Sequence, residues 1–326
     1  MNVYEYRTIG NSFLTPAIEK IMARPIAKLV GAKINPNIIS GVGHLAVYVA
    51  LWLSFFKVLD TPYTLIVIAV LIAFQTLGDK VDGAVARHFD KSSPLGEFMD
   101  HFFELFNQGA LLMIFYNLFT IQQPLIFIIL MVALCIRNMV KYYEQYKTNM
   151  LVYSKVGFME IKVLAVFILL LSTVPSVHQF INSPGFSVSL IEVLSIMLII
   201  GNVMGTVVNI GRIPQITYGM WLFVGLFVIV AVINVLLNND IAALFVILTY
   251  GVLYVGRLLS TQLVDGIERS PDFFLPLFLI IQYFLRFIDN TNALHLMAIY
   301  LCVNIILLTT KTFGALGKPK EEQASK

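Results

Sequence analysis

Long apolar segments separated by short polar stretches occupy most of the chain. A helix that crosses a bilayer needs about 20 predominantly apolar residues. The pattern therefore predicts an all-α, polytopic membrane protein with about ten transmembrane helices. The predicted spans are residues 38–59, 62–78, 97–121, 124–139, 159–181, 188–210, 216–237, 241–263, 273–287 and 293–312.

The segment 1–37 lacks a run long enough to span, but its apolar residues recur near the helical period. The apolar positions are Ile18, Ile21, Met22, Ile26, Leu29 and Val30. Because lysines and arginines lie between them, we predict an N-terminal amphipathic interfacial helix on the cytoplasmic membrane surface. The alternative is a soluble cap that packs on the loops. Pro36 then interrupts the chain before the first span.

Composition and charge agree with a membrane protein and exclude other classes. Hydrophobic residues make up 58% of the chain, and the formal net charge is only +3. Nucleic-acid binding has no support, because it requires a concentrated basic surface. Cys135 and Cys302 both lie in apolar runs. We expect them to be buried packing thiols, not a disulfide or a metal pair.

The distribution of basic residues predicts the orientation in the membrane. With ten spans, both termini and every even-numbered loop share one side. That side receives all lysines and arginines except Lys57 and Arg286. Cytoplasmic segments are enriched in these residues. We therefore expect both termini and the acidic stretch described next to face the cytoplasm.

The polar stretch 79–104 stands out because the whole chain is only 13% charged. Its acidic residues are Asp79, Asp82, Asp90, Glu97, Asp100 and Glu104. Charged side chains at membrane depth are costly, and they usually mark functional sites. Asp79 and Asp82 are three residues apart, and Asp100 and Glu104 are four apart. Each pair therefore lies on one face of a helix.

Two such pairs on adjacent helix ends can form one oxygen-rich pocket. Oxygen ligands suit hard cations such as Mg²⁺ or Mn²⁺. Four carboxylates can hold two of these ions about 4 Å apart, an arrangement that clamps a phosphoryl group during displacement. Asp90 and Glu97 lack a partner at a matching spacing, and we expect them on a solvated face. The alternative for the whole set is a buried charge network that only holds helices together.

Small and basic residues between the acid pairs suit a phosphate site. Gly83 and Ala86 lie on one helix face and let a ligand approach closely. Arg87 offers a planar fork for phosphate oxygens. Gly96 allows a second close approach one turn before the second acid pair. The segment SSPLG, residues 92–96, turns the chain between the two helices.

The stretch DKVDGAVAR, followed after eight residues by GEFMDHFFE, resembles the signature of the CDP-alcohol phosphotransferase family. The upstream PNIIS, residues 36–40, is similar to the element that opens the first span in this family. The text SSPLGEFMDH, with His101 and the nearby Asn107, resembles the choline/ethanolamine phosphotransferase branch. Ten spans, the segment GFMEIK and the late stretch LVDGIERSPDFFLPLFLIIQYF resemble that branch more weakly.

Members of this branch transfer phosphocholine or phosphoethanolamine from a CDP-alcohol to diacylglycerol and release CMP. The resemblance therefore implies CDP-choline or CDP-ethanolamine, diacylglycerol and the lipid bilayer as partners. It also implies two Mg²⁺ or Mn²⁺ ions that grip the diphosphate. The implied metal ligands are Asp79, Asp82, Asp100 and Glu104.

The resemblance assigns the substrate contacts to the flanking residues. Gly83, Ala86 and Gly96 are expected to line the nucleotide site. Arg87 is expected on phosphate, and Asn37 is expected close to the nucleotide.

The resemblance leaves two candidates for the base that takes the lipid hydroxyl proton. In the wider family it is the fourth acid, here Glu104; in this branch it is His101, oriented by Glu160. We favour His101, because an imidazole suits the role better than a metal-bound carboxylate. An ion pair with Lys155 or Lys162 is the alternative for Glu160. Since the family normally has aspartate at the fourth acid, a catalytically weak or non-enzymatic scaffold is an alternative function.

The predicted organisation is a cytoplasmic segment 1–37, a six-span catalytic core 38–210, four further spans 211–313 and a cytoplasmic tail 314–326. The expected location is the endoplasmic reticulum or Golgi in a eukaryote and the plasma membrane in a prokaryote. A homodimer is an open alternative to a monomer. The rival functions are a same-fold enzyme that uses inositol phosphate or glycerol phosphate as acceptor, and a transporter or channel.

Overall fold

The computed structural model describes residues 7–56, 58–183, 188–237 and 241–317. In chain order the helices are α1 (Thr15–Ile18), α2 (Arg24–Val30), α3 (Pro36–Phe56), α4 (Thr61–His88), α5 (Pro94–Leu118), α6 (Pro124–Thr148), α7 (Phe158–Leu171), α8 (Pro175–Asn182), α9 (Leu190–Ile210), α10 (Tyr218–Leu237), α11 (Ile241–Ser260), α12 (Phe274–Leu285) and α13 (Asn290–Leu316). A π-helical turn follows α1 at Glu19–Ala23, and another follows α11 at Thr261–Asp265. The predicted all-α class is confirmed for these residues.

Among the described residues, seven helices are long and apolar enough to cross a membrane. They are α3, α4, α6, α9, α10, α11 with its π-helical turn, and α13. Each coincides with a predicted span, although α4 and α6 continue well beyond the predicted ends. The extension of α4 carries the first acid pair. These helices indicate an integral membrane protein, and seven of the ten predicted spans are helices that could cross a membrane.

The other three predicted spans are helical but are not confirmed as crossings. Helix α5 is long enough, but Glu97, Asp100 and Glu104 interrupt its apolar character. The predicted span 159–181 is divided between α7 and α8, and Pro175 opens the second piece because it suits a helix start. Helix α12 has 12 residues. It is about 18 Å long, whereas the hydrocarbon core is about 30 Å thick.

The chain divides into two compact units, which we describe separately. The first comprises Met1–Gln123 and Met150–Met197, and the second comprises Pro124–Asn149 and Leu198–Lys326. In the first unit α4 is central, because α2, α3 and α7 all pack on it, while α5 packs on α3. All the candidate site residues belong to this first unit.

The N-terminal segment has one face on the protein and one face exposed. Ala23 and Ala27 are fully buried against Val81 and Val85 of α4. On the other side, Leu29 is 86% exposed. The predicted amphipathic helix thus packs on the acid-bearing end of α4, as in the alternative of a cap, and also keeps an exposed apolar face. Its location on a membrane surface stays a prediction.

A short parallel strand pair holds the N-terminal segment to the connection before α7. Strand β1 (Arg7–Ile9) pairs with β2 (Met150–Val152). The Glu160 carboxylate, in the first turn of α7, accepts hydrogen bonds from the backbone N–H groups of Leu14 at 3.0 Å and Gly157 at 2.7 Å. Glu160 therefore joins the chain before α1 to the start of α7.

The second unit is built around α11, which packs on α6, α10 and α13. Its core is aromatic, and the rings of Phe223 and Tyr254 stack with centroids 3.8 Å apart. Both cysteines are free thiols. Cys135 is buried, as predicted. Cys302 is half-buried because α13 has an exposed side, so the predicted burial is confirmed only in part for this residue.

Candidate active site

The two acid pairs lie at neighbouring ends of α4 and α5, as their spacing predicted. Helix α4 ends at His88 and α5 begins at Pro94. Between them Asp90 is exposed, as predicted, and has a left-handed backbone with φ of 54°. Ser93 caps α5, since its side-chain oxygen accepts a hydrogen bond from the Gly96 N–H at 3.1 Å. The two acid pairs therefore lie on either side of the short connection between α4 and α5, whose second helix is capped by Ser93.

Asp82 is buried and fixes α3 against α4. Its carboxylate accepts hydrogen bonds from the Ser40 hydroxyl of α3 and from the Gly83 N–H. Ser40 is the last residue of the PNIIS element at the start of α3. That element therefore supplies a direct hydrogen-bond donor to the acid cluster.

Asp79 is paired with two lysines. Its Oδ2 lies 2.9 Å from Lys80 Nζ and 3.9 Å from Lys162 Nζ of α7. Lys162 is buried, and its ammonium also donates to Gln75 Oε1 at 3.1 Å. Because a buried charge requires compensation, this pairing explains how a lysine can lie inside the helix bundle.

The second acid pair belongs to the same electrostatic cluster. Lys80 and Lys162 both interact electrostatically with Asp79, Asp100 and Glu104. The charge of Asp82 is likewise coupled to Asp79 and Asp100. The Asp100 side chain is 41% exposed, so the cluster opens to solvent at the start of α5. We call these four acids the acid cluster.

The acid cluster has the donor chemistry of a site for hard cations, namely carboxylate oxygens alone. Over the part of the chain that the structure describes, however, no three Asp, Glu, His or Cys side chains are placed to hold one ion. The partners that the structure shows for the α4 acids are lysine ammonium groups, a serine hydroxyl and a backbone amide. The carboxylate oxygens thus suit the predicted two-metal site, which stays a prediction.

Arg87 lies over the glycine of the motif and meets an acid from the N-terminal segment. A Cβ atom at Gly83 would lie 3.0 Å from Arg87 Nη1. Arg87 Nη2 also lies 3.0 Å from Glu19 Oε1, in the π-helical turn. The Arg87 side chain is 61% exposed, so its guanidinium remains accessible beside the half-buried Ala86. A side chain at position 83 would therefore require the Arg87 guanidinium to shift by a few tenths of an ångström.

Asn37 and Gly96 lie against each other. A Cβ atom at Gly96 would be 3.1 Å from Asn37 Oδ1. The first turns of α3 and α5 therefore approach closely, and the glycine permits it. The structure thus brings Asn37, which is distant in sequence, to the same end of the bundle as the acid cluster.

His101 is buried at the edge of the acid cluster, with Nε2 3.9 Å from Asp100 Oδ2. The carboxylate beside its Nδ1 belongs to Glu97, at 3.8 Å. The prediction of a solvated Glu97 was therefore wrong, because Glu97 lies one turn before His101 on the buried face of α5. The role predicted for Glu160 as the partner of His101 stays a prediction.

Sequence reasoning missed four polar residues that the fold places near the acid cluster: His44, Gln75, Lys80 and Lys162. His44 Nδ1 lies 2.8 Å from Asn107 Nδ2, and His44 is buried in α3. For His44, Gln75 and Lys162 the missed signal was a polar residue inside an apolar helix, which membrane proteins place at functional positions. Lys80 lies in the stretch 79–104 itself.

The acid cluster lies at one end of the packed helices α3, α4 and α5, and α3 and α4 are long and apolar enough to cross a membrane. This arrangement is that of an integral-membrane protein with a polar site at one end of its helix bundle. Residues 33–208 match the sequence profile of the CDP-alcohol phosphatidyltransferase family. The chain belongs to this family. It is accordingly a membrane-bound transferase of substituted phosphate groups in phospholipid synthesis, which uses a CDP-alcohol and a lipid acceptor. A search of curated proteins found no match.

Proposed function

We propose that this protein transfers phosphocholine or phosphoethanolamine from CDP-choline or CDP-ethanolamine to diacylglycerol. The observation that carries the proposal is the acid cluster, which lies within the region that matches the family. The local text SSPLGEFMDH, which gave the resemblance to the choline/ethanolamine branch, forms the start of α5 beside that cluster.

We propose that Asp79, Asp82, Asp100 and Glu104 bind two Mg²⁺ or Mn²⁺ ions. Such ions, when bound, neutralise the diphosphate and stabilise the charge of the departing nucleotide. The Ser40 hydroxyl and the Gly83 N–H hold the Asp82 carboxylate in place. The chain itself therefore orients at least one ligand of the proposed site.

We assign the substrate contacts to residues at the same end of the helix bundle as the acid cluster. Gly83, Ala86 and Gly96 would line the nucleotide site, since none of them adds bulk. Arg87 would contact a phosphate oxygen, because its guanidinium lies over Gly83 and is exposed. Asn37 would lie close to the nucleotide, since its amide faces Gly96.

The transfer step needs one proton acceptor. The hydroxyl oxygen of diacylglycerol forms a bond to the phosphorus that carries choline or ethanolamine. The bond from this phosphorus to the bridging oxygen breaks, and CMP leaves with that oxygen and the electron pair. His101 would take the hydroxyl proton, with Glu104 as the alternative base. Glu97 and Glu160 are the two candidates for orienting His101.

We propose a membrane arrangement with ten crossings, which adds α5, the α7–α8 pair and α12 to the seven. Both termini and the acid cluster would then face the cytoplasm. In a eukaryote the membrane would be the endoplasmic reticulum or Golgi, and in a prokaryote the plasma membrane. A catalytic core over 38–210, with further spans over 211–313, follows from this arrangement.

The assay that tests the proposed function uses purified protein in detergent with radiolabelled CDP-choline or CDP-ethanolamine, diacylglycerol and Mg²⁺ or Mn²⁺. The expected result is a labelled phospholipid and free CMP in equal amounts. Absence of lipid product with every CDP-alcohol would contradict the enzyme and favour a scaffold.

One observation favours a second candidate, a same-fold enzyme with an anionic acceptor such as inositol phosphate or glycerol phosphate. Such an acceptor requires extra basic residues, and Lys80 and Lys162 both lie at the acid cluster. We rank it second because both lysines are paired with Asp79. The same assay with these acceptors in place of diacylglycerol distinguishes the two functions.

Glu104→Asp is expected to keep the activity or raise it. The family normally has aspartate at this position, so the shorter side chain restores the usual ligand length. The measurement is kcat/KM at saturating Mn²⁺, with Glu104→Gln as the control that loses the charge. An inactive Glu104→Asp protein would show instead that the site has been rebuilt around glutamate.

Glu19→Gln is expected to lower KM for the CDP-alcohol, because Glu19 competes with phosphate for Arg87. An exposed ion pair contributes up to about 1 kcal/mol, so the decrease should be about two- to fivefold. Steady-state kinetics in 150 mM salt, about physiological ionic strength, measure it. The control is the same change in an Arg87→Gln background, where it should have no effect. An equal decrease there would show that Glu19 does not act through Arg87.

A further inference from the structure

Beside the acid cluster lies a second set of polar side chains that the proposed transfer step does not use. It comprises His44 of α3, Gln75 of α4, Asn107 of α5 and Lys162 of α7. All four are at most 5% exposed. We call this set the deep polar layer. Gln75 and Lys162 are hydrogen-bonded to each other, and Gln75 also packs beside Gly43, the neighbour of His44.

The deep polar layer lies about one helical turn from the acid cluster. On α3, α4 and α5 its members are three or four residues from Ser40, Asp79 and Glu104, respectively. Helices α3 and α5 begin, and α4 ends, at the acid-bearing end of the bundle. In each of these helices the member of the deep polar layer lies about 5 Å farther from that end than the residue it is compared with. The deep polar layer is therefore on the membrane-core side of the acid cluster.

Within this layer, His44 and Asn107 leave one donor and one acceptor unused. His44 Nδ1 and Asn107 Nδ2 are 2.8 Å apart. His44 Nε2 and Asn107 Oδ1 are buried without a hydrogen-bond partner. If the amide donates to Nδ1, the ring proton is on Nε2, and Oδ1 remains an acceptor. With the amide reversed, the unused nitrogen of the amide is the donor and Nε2 is the acceptor.

A hydroxyl group matches this pair, since it donates one hydrogen bond and accepts others. A phosphate or carboxylate has no proton to donate, and an ammonium group has no lone pair to accept. Buried polar groups are normally hydrogen-bonded, so a hydroxyl group that pairs with both unused atoms would be stabilised there. The ring of Phe103 packs on His44 with centroids 4.8 Å apart and makes one side of the pair apolar. Water and an alcohol both supply such a hydroxyl, and the apolar side favours an alcohol with an apolar body.

We propose that His44 and Asn107 bind the hydroxyl group of the lipid acceptor. This inference rests on the proposed function and names where its acceptor binds. In-line displacement requires the attacking and leaving oxygens on opposite sides of the phosphorus. A hydroxyl held in the deep polar layer approaches the acid cluster from the membrane-core side, and the nucleotide leaves toward the α4–α5 connection. The two substrates then never compete for one entrance.

The first test is binding, which does not depend on turnover. The probe is 1,2-dioctanoylglycerol, and the measurement is the unfolding temperature of the purified protein in detergent. The variants are Asn107→Leu and His44→Leu. The matched control is Asn234→Leu of α10, whose side chain is fully buried and whose Oδ1 also lacks a partner. We expect the probe to raise Tm in wild type and control, and the shift to be lost in both site variants.

The second test is kinetic and separates the two substrates. We expect KM for dioctanoylglycerol to rise about tenfold in each site variant, while KM for the CDP-alcohol stays within about twofold. His44→Gln keeps a donor and an acceptor and should recover most of the loss. If a leucine variant does not fold, His44→Gln replaces it as the test variant.

The outcomes distinguish this inference from the proposed function. A wild type that turns over no CDP-alcohol overturns the proposed function, while the Tm shifts still decide where the alcohol binds. An undiminished Tm shift in Asn107→Leu and His44→Leu overturns the inference. So does an equal rise of both KM values, because that result indicates a general structural role.

Discussion

Replacing Asp100 with asparagine is expected to lower kcat/KM for the CDP-alcohol by about 100-fold or more. Asp100 is the acid through which the cluster opens to solvent, and its charge acts on Lys80, Lys162 and Asp82. Asparagine keeps the size but removes the charge and one carboxylate oxygen. The measurements are turnover as a function of Mn²⁺ concentration and Mn²⁺ binding by electron paramagnetic resonance.

The matched control for this substitution is Asp90→Asn. Asp90 is exposed in the connection between α4 and α5, ten residues away in sequence. The Asp90→Asn substitution removes the same charge from the same end of the bundle but leaves the acid cluster unchanged. Activity and Mn²⁺ binding should therefore stay at the wild-type level. An Asp100→Asn protein with full activity would exclude the proposed metal ligands.

Replacing His101 with alanine is expected to lower kcat by about 100-fold, with little change in KM for either substrate. The imidazole is buried at the edge of the acid cluster, with Nε2 3.9 Å from Asp100 Oδ2. Loss of a general base should also change the pH dependence of kcat, because the limb due to the imidazole disappears. His295→Ala on the exposed side of α13 is the control for loss of a histidine.

Two further substitutions identify the group that orients His101. If Glu97, whose carboxylate lies 3.8 Å from Nδ1, orients the imidazole, Glu97→Gln should lower kcat more than Glu160→Gln. The reverse order would support the role that the family resemblance gives to Glu160. Near wild-type activity of His101→Ala would transfer the base role to Glu104.

The local part of the site could be predicted from the sequence. The acid pairs, the turn between them and the helices that carry them depend on spacing within one helix or across one short connection. The prediction was wrong for Glu97, where burial by neighbouring helices determines the environment of the side chain. Glu97 seemed to belong to a solvated face, but its helix face is covered by the bundle, and periodicity alone does not reveal which polar face is covered.

Long-range contacts could not be predicted from the sequence for a different reason. Arg87 meets Glu19 across 68 residues, and Lys162 meets Gln75 across 87 residues. Such pairs depend on which helices pack together, and hydropathy carries no information about that. The predicted crossing by α5 is not confirmed for a related reason, because α5 combines a membrane-length helix with charges that Lys80 of α4 helps to compensate.

The pairing of the α4 acids with groups on α3 and on α4 itself has a consequence for biosynthesis. Charged residues hinder transfer of a helix into the bilayer. Ser40, the partner of Asp82, is synthesised before α4. Lys80, which pairs with Asp79, lies on α4 itself and later compensates Asp100. Both acids of α4 therefore have a partner on α3 or on α4 itself, and we expect insertion of these two helices not to depend on α7 and Lys162.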